Sequence, residues 1–275
     1  MTHSGFTQAA REAGADLVGI ASPDRFEGLP LEQHPLAIKA DTQSVVVLGF
    51  QVLRGSLRGI ETGSSWLTFG IGNPATVAIE STYQLCRRLE NDGWETVPLF
   101  RHSASMRHQG VAVGPDRPEP DVILDMDYAA FAAGLGMLGD GKFFLTPEYG
   151  PRQIFTALLT DLRLTPDPVQ KTPVCDHCGA CVQACPARAL AANEWSEATG
   201  SAGTQSWRTL HIESCRICKT GTSPNMYSPG DEPNRLGAAC GRACVNHLEQ
   251  SGRLRKSLKT PFRHTDGQAG ETNAC

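Results

Sequence analysis

The chain has 275 residues, of which 40% are hydrophobic and 20% are charged, and its formal net charge is −4. This length suits one large domain or two small ones. The composition excludes a disordered chain, and the mild negative charge argues against a nucleic-acid carrier coated in Lys and Arg. Ten cysteines are too few for a small secreted disulfide scaffold, and eight of them fall between Cys175 and Cys244.

The N-terminal residues show neither a basic segment followed by an apolar run nor a twin-arginine pair. No stretch approaches the roughly 18 apolar residues that a membrane helix needs. We therefore expect a cytoplasmic protein without a membrane partner. Thiols stay reduced in the cytoplasm, so clustered cysteines there are more often metal ligands than disulfides.

Helical and strand-like patterns alternate in the first part of the chain. Helices are predicted over 5–13, 74–91 and 122–133, and strands over 17–21, 45–50, 95–100, 142–146 and 153–162. This order predicts an α+β fold in which helices pack against a sheet.

The composition changes at 164–168, a proline-containing segment that is typical of a linker. We therefore divide the chain into a first domain at 1–165, a cysteine-rich domain at 166–250 and a polar tail at 251–275. We expect the tail to be frayed and solvated, with docking of an RNA as the alternative. Its basic residues are Arg253, Arg255, Lys256, Lys259 and Arg263.

The strongest motif is a run of four cysteines, Cys175, Cys178, Cys181 and Cys185, the last of which precedes a proline. This is the C-x2-C-x2-C-x3-C-P pattern of bacterial ferredoxins. Three thiolates within seven residues can surround one face of a 4Fe–4S cube, and the small Gly179 lets the backbone lie close to it. Structural zinc is the competing interpretation, but zinc sites usually present two separated cysteine pairs.

The fourth cysteine of such a run ligates the other cluster in two-cluster proteins. The downstream cysteines complete a count of eight ligands for two 4Fe–4S clusters. Cysteine set 1, assigned to the first cluster, consists of Cys175, Cys178, Cys181 and Cys244. Cysteine set 2, assigned to the second cluster, consists of Cys185, Cys215, Cys218 and Cys240. One cluster with a zinc ion or with unliganded cysteines is the alternative.

Three further residues need an interpretation. Cys86 lies on the apolar face of a predicted helix, so we expect a small core residue. Cys275 is the terminal residue, and we expect a free thiol. His177 lies inside the ferredoxin-type run, and we expect it to be solvated or to contact a cluster sulfide, because the thiolates already suffice as ligands.

Residues 134–139 match the G-x-G-x-x-G pattern. A dinucleotide-binding loop follows a strand and opens a helix. Here an Ala-rich helical segment precedes the glycines and a strand-like segment follows them, so we reject nucleotide binding. The glycines still allow a close backbone approach, which suits a helix C-terminus or the face of a large flat cofactor.

The chain resembles the epoxyqueuosine reductases and their relatives, the reductive dehalogenases, over roughly residues 8–246. The segments that carry the resemblance are 10–21, 133–139, 144–150, 158–162, the ferredoxin-type run and 234–236. The resemblance implies a nitroreductase-like α/β sandwich that holds cobalamin, followed by a bacterial-ferredoxin-like two-cluster module. The implied corrinoid pocket includes Gly134, Leu135, Gly136, Gly139, Phe144 and Tyr149.

The resemblance also implies a reaction. An external donor of the ferredoxin or flavodoxin type would reduce the two clusters, and the electrons would pass to cobalamin for reductive cleavage of a C–O or C–halogen bond. The substrate would be a small molecule or a modified nucleoside. A nucleic-acid partner is not favoured, because the chain ends too soon for the helical-repeat domain with which the queuosine enzymes help to hold tRNA.

Members of the queuosine group carry a proton-donating Asp shortly before the glycine loop. Asp121 lies close to that position, and Asp127 and Tyr128 are the other candidates for the proton donor. Burial could raise the pKa of such an acid toward neutral pH. These acids could instead cap the helix predicted over 122–133.

Two other functions stay open at this point. The chain could be an electron-transfer protein of the ferredoxin type without a corrinoid. It could also be a cobalamin-free reductase that uses a flavin or a cluster directly. Binding of cobalamin by the purified protein separates these from the first hypothesis.

Overall fold

The structure is a computed structural model that describes residues 2–62, 72–100, 123–220 and 233–263. The elements before residue 165 are α1 (His3–Glu12), β1 (Leu17–Ala21), α2 (Pro35–Ile38), β2 (Ser44–Gln51), α3 (Gly59–Thr62), α4 (Gly72–Asn91), β3 (Thr96–Leu99), α5 (Met126–Ala132), β4 (Met137–Leu138), β5 (Phe144–Leu145) and β6 (Gln153–Thr160). The later elements are α6 (Ala180–Gln183), β7 (Leu190–Gly200), β8 (Gly203–Leu210), α7 (Ile212–Arg216) and α8 (Ala239–Gln250).

A four-stranded antiparallel sheet with the order β1-β2-β6-β3 forms the centre of the first part. Residues of β2 alternate between the two faces of this sheet. Val46 belongs to the core with α1 and α4, and Val47 belongs to the core with α5. Both faces are therefore covered by helices, which explains why β2 reads as a continuous apolar run. The result is a mixed α/β fold whose sheets are antiparallel.

The helix predicted over 122–133 begins later than expected, at Met126. The side chain of Asp125 accepts hydrogen bonds from the backbone N–H groups of Asp127 and Tyr128, both at 3.0 Å. An Asp at the N-cap satisfies N–H groups that have no partner inside the helix, and this determines where the helix starts.

The β7–β8 hairpin was not predicted. Its two-residue turn joins Gly200 to Gly203, and it rests on the first part of the chain. Ser201 N–H donates to the Glu27 carbonyl at 2.8 Å. A Cβ at Gly200 would lie 2.4 Å from the Tyr128 hydroxyl, so a glycine is required at that contact.

The proline-containing segment at 164–168 is held tightly rather than acting as a loose connection. Asp167 accepts a hydrogen bond from Ile20 N–H at 2.9 Å through its side chain, and its carbonyl accepts one from Arg25 at 2.7 Å. Leu164 is buried in the core with α1 and α4. The first and second parts of the chain therefore pack directly against each other.

Residues 251–263, which were expected to be frayed and solvated, are mostly exposed, but the segment is packed onto the rest of the protein at two points. Leu254 and Phe262 are buried, and Arg255 N–H donates to the Pro147 carbonyl at 2.8 Å. These two buried apolar side chains anchor the segment to the rest of the protein, although its composition is basic. Cys275 lies outside the described residues.

Within the part of the chain that the structure describes, no helix combines the length and the apolar character that a bilayer crossing requires.

A buried ion pair joins the first part of the chain to α8. Arg54 donates to both carboxylate oxygens of Glu249, at distances of 2.6 to 2.9 Å. The guanidinium of Arg54 also lies 3.7 Å from the centroid of the Phe262 ring. Only 2% of the Arg54 side chain and 8% of the Glu249 side chain are exposed, so water does not screen this pair.

We predict that Glu249→Gln lowers the free energy of unfolding by about 3 kcal/mol, because it leaves the buried Arg54 charge without a counterion. Chemical denaturation of the metal-free protein measures this change. Glu194→Gln, at an exposed position on β7, is the matched control and should change stability little. Equal stability of Glu249→Gln and the wild type would contradict the assignment.

Candidate functional site

Cysteine set 1 gathers around one cavity. Cys175 and Cys178 lie in the loop before α6, Cys181 lies on α6, and Cys244 lies on α8. All four line the same cavity. The loop can turn this tightly because Gly179, immediately before α6, has a φ of +74°, a left-handed conformation that glycine adopts without strain.

The opposite wall of this cavity comes from the turn after the glycine loop. A Cβ at Gly139 would lie 3.4 Å from the Cys175 sulfur, and a Cβ at Gly141 would lie 3.0 Å from the Cys181 sulfur. Side chains there would intrude between the backbone and the thiols. The two glycines therefore let the backbone pack directly against the side chains of Cys175 and Cys181, and the apolar Phe143 and Leu145 complete the wall.

The thiols of Cys181 and Cys244 in set 1 have raised pKa values, chiefly because both are buried. Burial raises the pKa of Cys181 to about 12, and the nearby Cys175 and Asp140 add to the increase. Burial raises the pKa of Cys244 well above the ordinary value, and Cys181 and Cys175 contribute further. Thiols that are protonated in this way release protons when they bind a metal.

Backbone N–H groups also point at the sulfur of Cys175. Burial raises the pKa of this thiol, whereas the N–H groups of Asp140 and His177 lower it by donating to the sulfur. Such donors stabilise a thiolate in an apolar site.

Cysteine set 2 lies beside set 1. Burial raises the pKa of Cys240 on α8, the nearby Arg235 lowers it, and Cys185 and Cys218 raise it further. Cys215 is buried on α7, and its carbonyl accepts a hydrogen bond from Cys218 N–H at 3.2 Å. The ligand assignment itself stays a prediction, although these contacts bring members of each set together.

Two carboxylate–imidazole pairs border the set 1 cavity. Asp140 Oδ1 lies 2.7 Å from His177 Nδ1, and Asp176 Oδ2 lies 2.9 Å from His247 Nε2. Sequence reasoning expected His177 to be solvated or to contact a sulfide, and its side chain is indeed 68% exposed while it contacts Asp140. The contacts of Asp140 with His177 and of Arg235 with the Gly141 carbonyl were missed, because only the fold brings these segments together.

The residues predicted to bind a corrinoid pack against other residues of this chain. A Cβ at Gly134 would lie 2.3 Å from the Pro168 carbonyl oxygen, and one at Gly136 would lie 2.1 Å from the Leu145 carbonyl oxygen. Phe144 packs edge-to-face on Phe155 at 5.2 Å. These glycines are therefore explained by close packing against the protein backbone.

The other residues predicted to bind a corrinoid also pack within the chain. Leu135 packs against the core that includes α5, and Tyr149 is buried with its hydroxyl 3.1 Å from Lys256 Nζ. Of the six residues, Gly139 lines the cysteine cavity. Their role in binding a corrinoid stays a prediction.

The candidate proton donors occupy different positions. Asp121 lies outside the described residues. Asp127 is in the first turn of α5 and is partly exposed. Tyr128 is 1% exposed, its hydroxyl donates to the carbonyls of Arg25 and Gly203 at 3.3 Å, and burial raises its pKa. These contacts give Tyr128 a role in joining α5 to the β7–β8 hairpin.

We predict that alkylation of Cys181 by iodoacetamide in the metal-free, reduced protein accelerates about tenfold per pH unit from pH 8 to pH 10, because thiolate is the nucleophile. The same cysteine in the denatured chain should level off near pH 9. Peptide mapping by mass spectrometry measures both rates. A plateau near pH 9 in the folded protein would show that burial does not raise this pKa.

No family model matches the chain. A tetrachloroethene reductive dehalogenase from Desulfitobacterium hafniense is 35% identical over 128 residues, which are 42% of this chain and 22% of that protein. An epoxyqueuosine reductase from Cellulophaga algicola is 41% identical over 71 residues, which are 25% of this chain and 22% of that protein. The matched regions thus span about a fifth of the length of these two relatives.

Solved structures of both kinds share the fold. A catabolic reductive dehalogenase gives a TM-score of 0.54 at 20% identity, over 87% of this chain and 30% of that chain. An epoxyqueuosine reductase solved with an epoxyqueuosine-modified tRNA stem loop gives 0.53 at 16% identity, over 89% of this chain and 66% of that chain. Sequence similarity and fold agree, and the chain is a relative of the epoxyqueuosine reductases and the reductive dehalogenases.

Proposed function

We propose that the chain is an iron–sulfur reductase that carries two 4Fe–4S clusters, one on each cysteine set. The convergence of Cys175, Cys178, Cys181 and Cys244 on one cavity is the observation that carries this proposal. Four thiols that line one cavity beside glycine backbone form a donor set of the kind that a 4Fe–4S cluster binds. The relatives named reductases favour an oxidoreductase.

The spacing of the sulfurs favours a cluster over a single zinc ion. Four sulfurs bound 2.3 Å from one zinc lie only about 3.8 Å apart. Among the described side chains, the groups of three whose ligand atoms lie within 4.8 Å of one another are Asp140–Cys175–His177 and Asp176–Cys178–His247. No three cysteine sulfurs among the described side chains lie this close together, so one zinc ion could not bind three of them in the arrangement that the structure shows.

The domain boundaries belong to the same proposal. Residues 1–165 would form a nitroreductase-like domain, and residues 166–250 a ferredoxin-like module. The wall at Gly139 and Gly141 comes from the first domain, so the set 1 cavity depends on both. Residues 251–263 then pack against both domains.

Residues around the set 1 cysteines would stabilise a bound cluster. Backbone N–H groups of Asp140 and His177 point at the Cys175 sulfur. The apolar side chains of Phe143, Leu145 and Leu248 line the cavity. A bound cluster would supply one-electron transfer, and the surrounding residues would hold its ligands in place.

Cobalamin as the final electron acceptor follows from the resemblance. When bound, it would supply the reductive cleavage of a carbon–halogen or C–O bond. The residues predicted for its pocket do not form a common surface for it, because Gly134, Gly136, Phe144 and Tyr149 pack within the chain. We therefore assign no step of the reaction to these residues.

The substrate class follows from the relatives. One is named for tetrachloroethene and another for epoxyqueuosine, and an epoxyqueuosine reductase has been solved with a modified tRNA stem loop. A modified nucleoside or a halogenated small molecule is therefore the proposed substrate, and a ferredoxin or flavodoxin the proposed electron donor. We place the protein in the cytoplasm, where its thiols would stay reduced.

Anaerobic reconstitution tests this proposal. We expect iron and sulfide contents of about eight each per chain, as two 4Fe–4S clusters require. Cys244→Ser should lose one cluster's share of iron, whereas Cys86→Ser, at a core position outside both sets, should retain both clusters. Zinc in place of iron, or four iron atoms in the wild type, would contradict the two-cluster assignment.

Addition of cobalamin to the reconstituted protein tests the final acceptor. Stoichiometric binding with a base-off cob(II)alamin spin-resonance signal is the expected result. Intact clusters without corrinoid binding would favour an electron-transfer protein or a cobalamin-free reductase.

We also predict that Gly141→Ala reduces the iron content that reconstitution reaches, because the added methyl group would lie 3.0 Å from the Cys181 sulfur and 3.0 Å from the Phe143 ring. Gly55→Ala is the matched control, since a Cβ there meets nothing within 4 Å. Iron analysis and visible absorbance measure the difference. Full loading of Gly141→Ala would show that this wall does not border a cluster.

A further inference from the structure

We propose that the cluster-free chain binds one zinc ion through the carboxylate of Asp140, the thiolate of Cys175 and the imidazole of His177. The ligand atoms of these three side chains lie within 4.8 Å of one another. Because Cys175 also belongs to set 1, a zinc ion at this site would exclude a cluster from set 1. Zinc binding itself does not depend on the proposed function, and only the competition with a cluster rests on it.

The three side chains supply the ligand types that zinc prefers. Zinc in proteins is bound by thiolate sulfur, imidazole nitrogen and carboxylate oxygen, and three protein ligands leave a fourth tetrahedral position for water. Ligands on one zinc ion lie about 3 to 4 Å apart, a spacing that small movements of these side chains reach. The site therefore suits a single zinc ion with a mixed set of ligands.

Asp140 has a buried carboxylate oxygen that lacks a hydrogen bond. The residue lines the set 1 cavity and is 3% exposed, and its Oδ2 atom has no hydrogen-bond partner among the described residues. Its other oxygen, Oδ1, lies 2.7 Å from His177 Nδ1. A buried polar atom without a partner costs free energy, and a bound cation would remove that cost.

The backbone holds Asp140 and His177 beside Cys175. A Cβ at Gly139 would lie 3.2 Å from the Cys175 Cβ, so the chain that carries Asp140 packs directly against this cysteine. His177 has a φ of +60°, a left-handed conformation that is uncommon for residues with a side chain and that surrounding contacts must maintain. Its side chain is 68% exposed, which gives an ion a path from the solvent.

The charges at this site favour a dication. Asp140 and the deprotonated Cys175 contribute two negative charges, and the guanidinium of Arg208, whose Nε lies 3.7 Å from Asp140 Oδ2, offsets one of them. A zinc ion therefore meets a net negative charge. Binding releases the proton of the Cys175 thiol, and no electron is transferred.

Asp176 forms a similar group with Cys178 and His247, but its carboxylate already has partners. Both of its oxygens lie within 3.1 Å of His247 Nε2, and Oδ2 also lies 3.1 Å from Arg253 Nε. A cation would have to displace these contacts. Asp176 is therefore the matched control for Asp140.

Zinc titration of the cluster-free, reduced full-length chain against a chromophoric chelator tests this inference. One zinc ion should bind, and cobalt(II) in its place should show a sulfur-to-cobalt charge-transfer band. Asp140→Asn should weaken zinc binding by at least about tenfold, since even the loss of a residue that only contacts a metal ligand costs about ten- to a hundredfold. Asp176→Asn should bind zinc as the wild type does.

Three further variants identify the ligands. Cys175→Ser should lose the zinc ion and the cobalt band, whereas Cys181→Ser should keep both, because Cys181 is not a member of the group. His177→Asn should weaken binding as well. Asparagine tolerates a positive φ, so this variant keeps the test valid if Asp140→Asn does not fold. Loss of zinc in Cys181→Ser, or unchanged zinc binding in Asp140→Asn or His177→Asn, would overturn the inference.

Iron loading separates this inference from the proposed function. Wild type that holds one equivalent of zinc should take up about four iron atoms fewer than zinc-free wild type, the share of one 4Fe–4S cluster. Asp140→Asn keeps all eight proposed ligands and should load equally with and without zinc. Zinc that binds without lowering iron uptake would overturn the competition. A wild type that binds zinc as expected but never iron would support the zinc site and overturn the proposed function alone.

Discussion

The candidate site depends on the packing of α8 against the loop that carries the ferredoxin-type run. Cys244 lies on α8, far along the chain from Cys175, and the two share a cavity only because the helix lies there. Leu248, one turn after Cys244, is buried in a core with Leu145 and Val174. Apolar burial of a neighbouring residue therefore positions the cysteine.

Two ion pairs also join α8 to the first part of the chain. Glu249 pairs with Arg54 of the first part, and Arg242 pairs with Glu61 at 2.6 Å. Both arginines lie over the Phe262 ring. These ion pairs fix the position of α8, which carries Cys240 and Cys244, against the first part of the chain.

The sequence predicted most helices and strands before residue 165, because the hydrophobic pattern that marks each of them is a local property. The strand at Leu17–Ala21 has the predicted bounds, and the apolar run in β2 is buried on both faces as predicted. The start of α5 depended on the cap at Asp125, which periodicity does not reveal. The hairpin turn at Gly200 depended on contact with Tyr128, more than seventy residues earlier in the chain.

The sequence by itself predicted iron–sulfur ligands, because the spacing from Cys175 to Cys185 is a local property that already limits the ligand geometry. The sequence also showed the resemblance to the reductases. Only the tertiary structure decided which side chains stand beside those thiols. Asp140 lies beside Cys175, and Arg235 contacts the Gly141 carbonyl, through packing between distant segments that no local pattern contains.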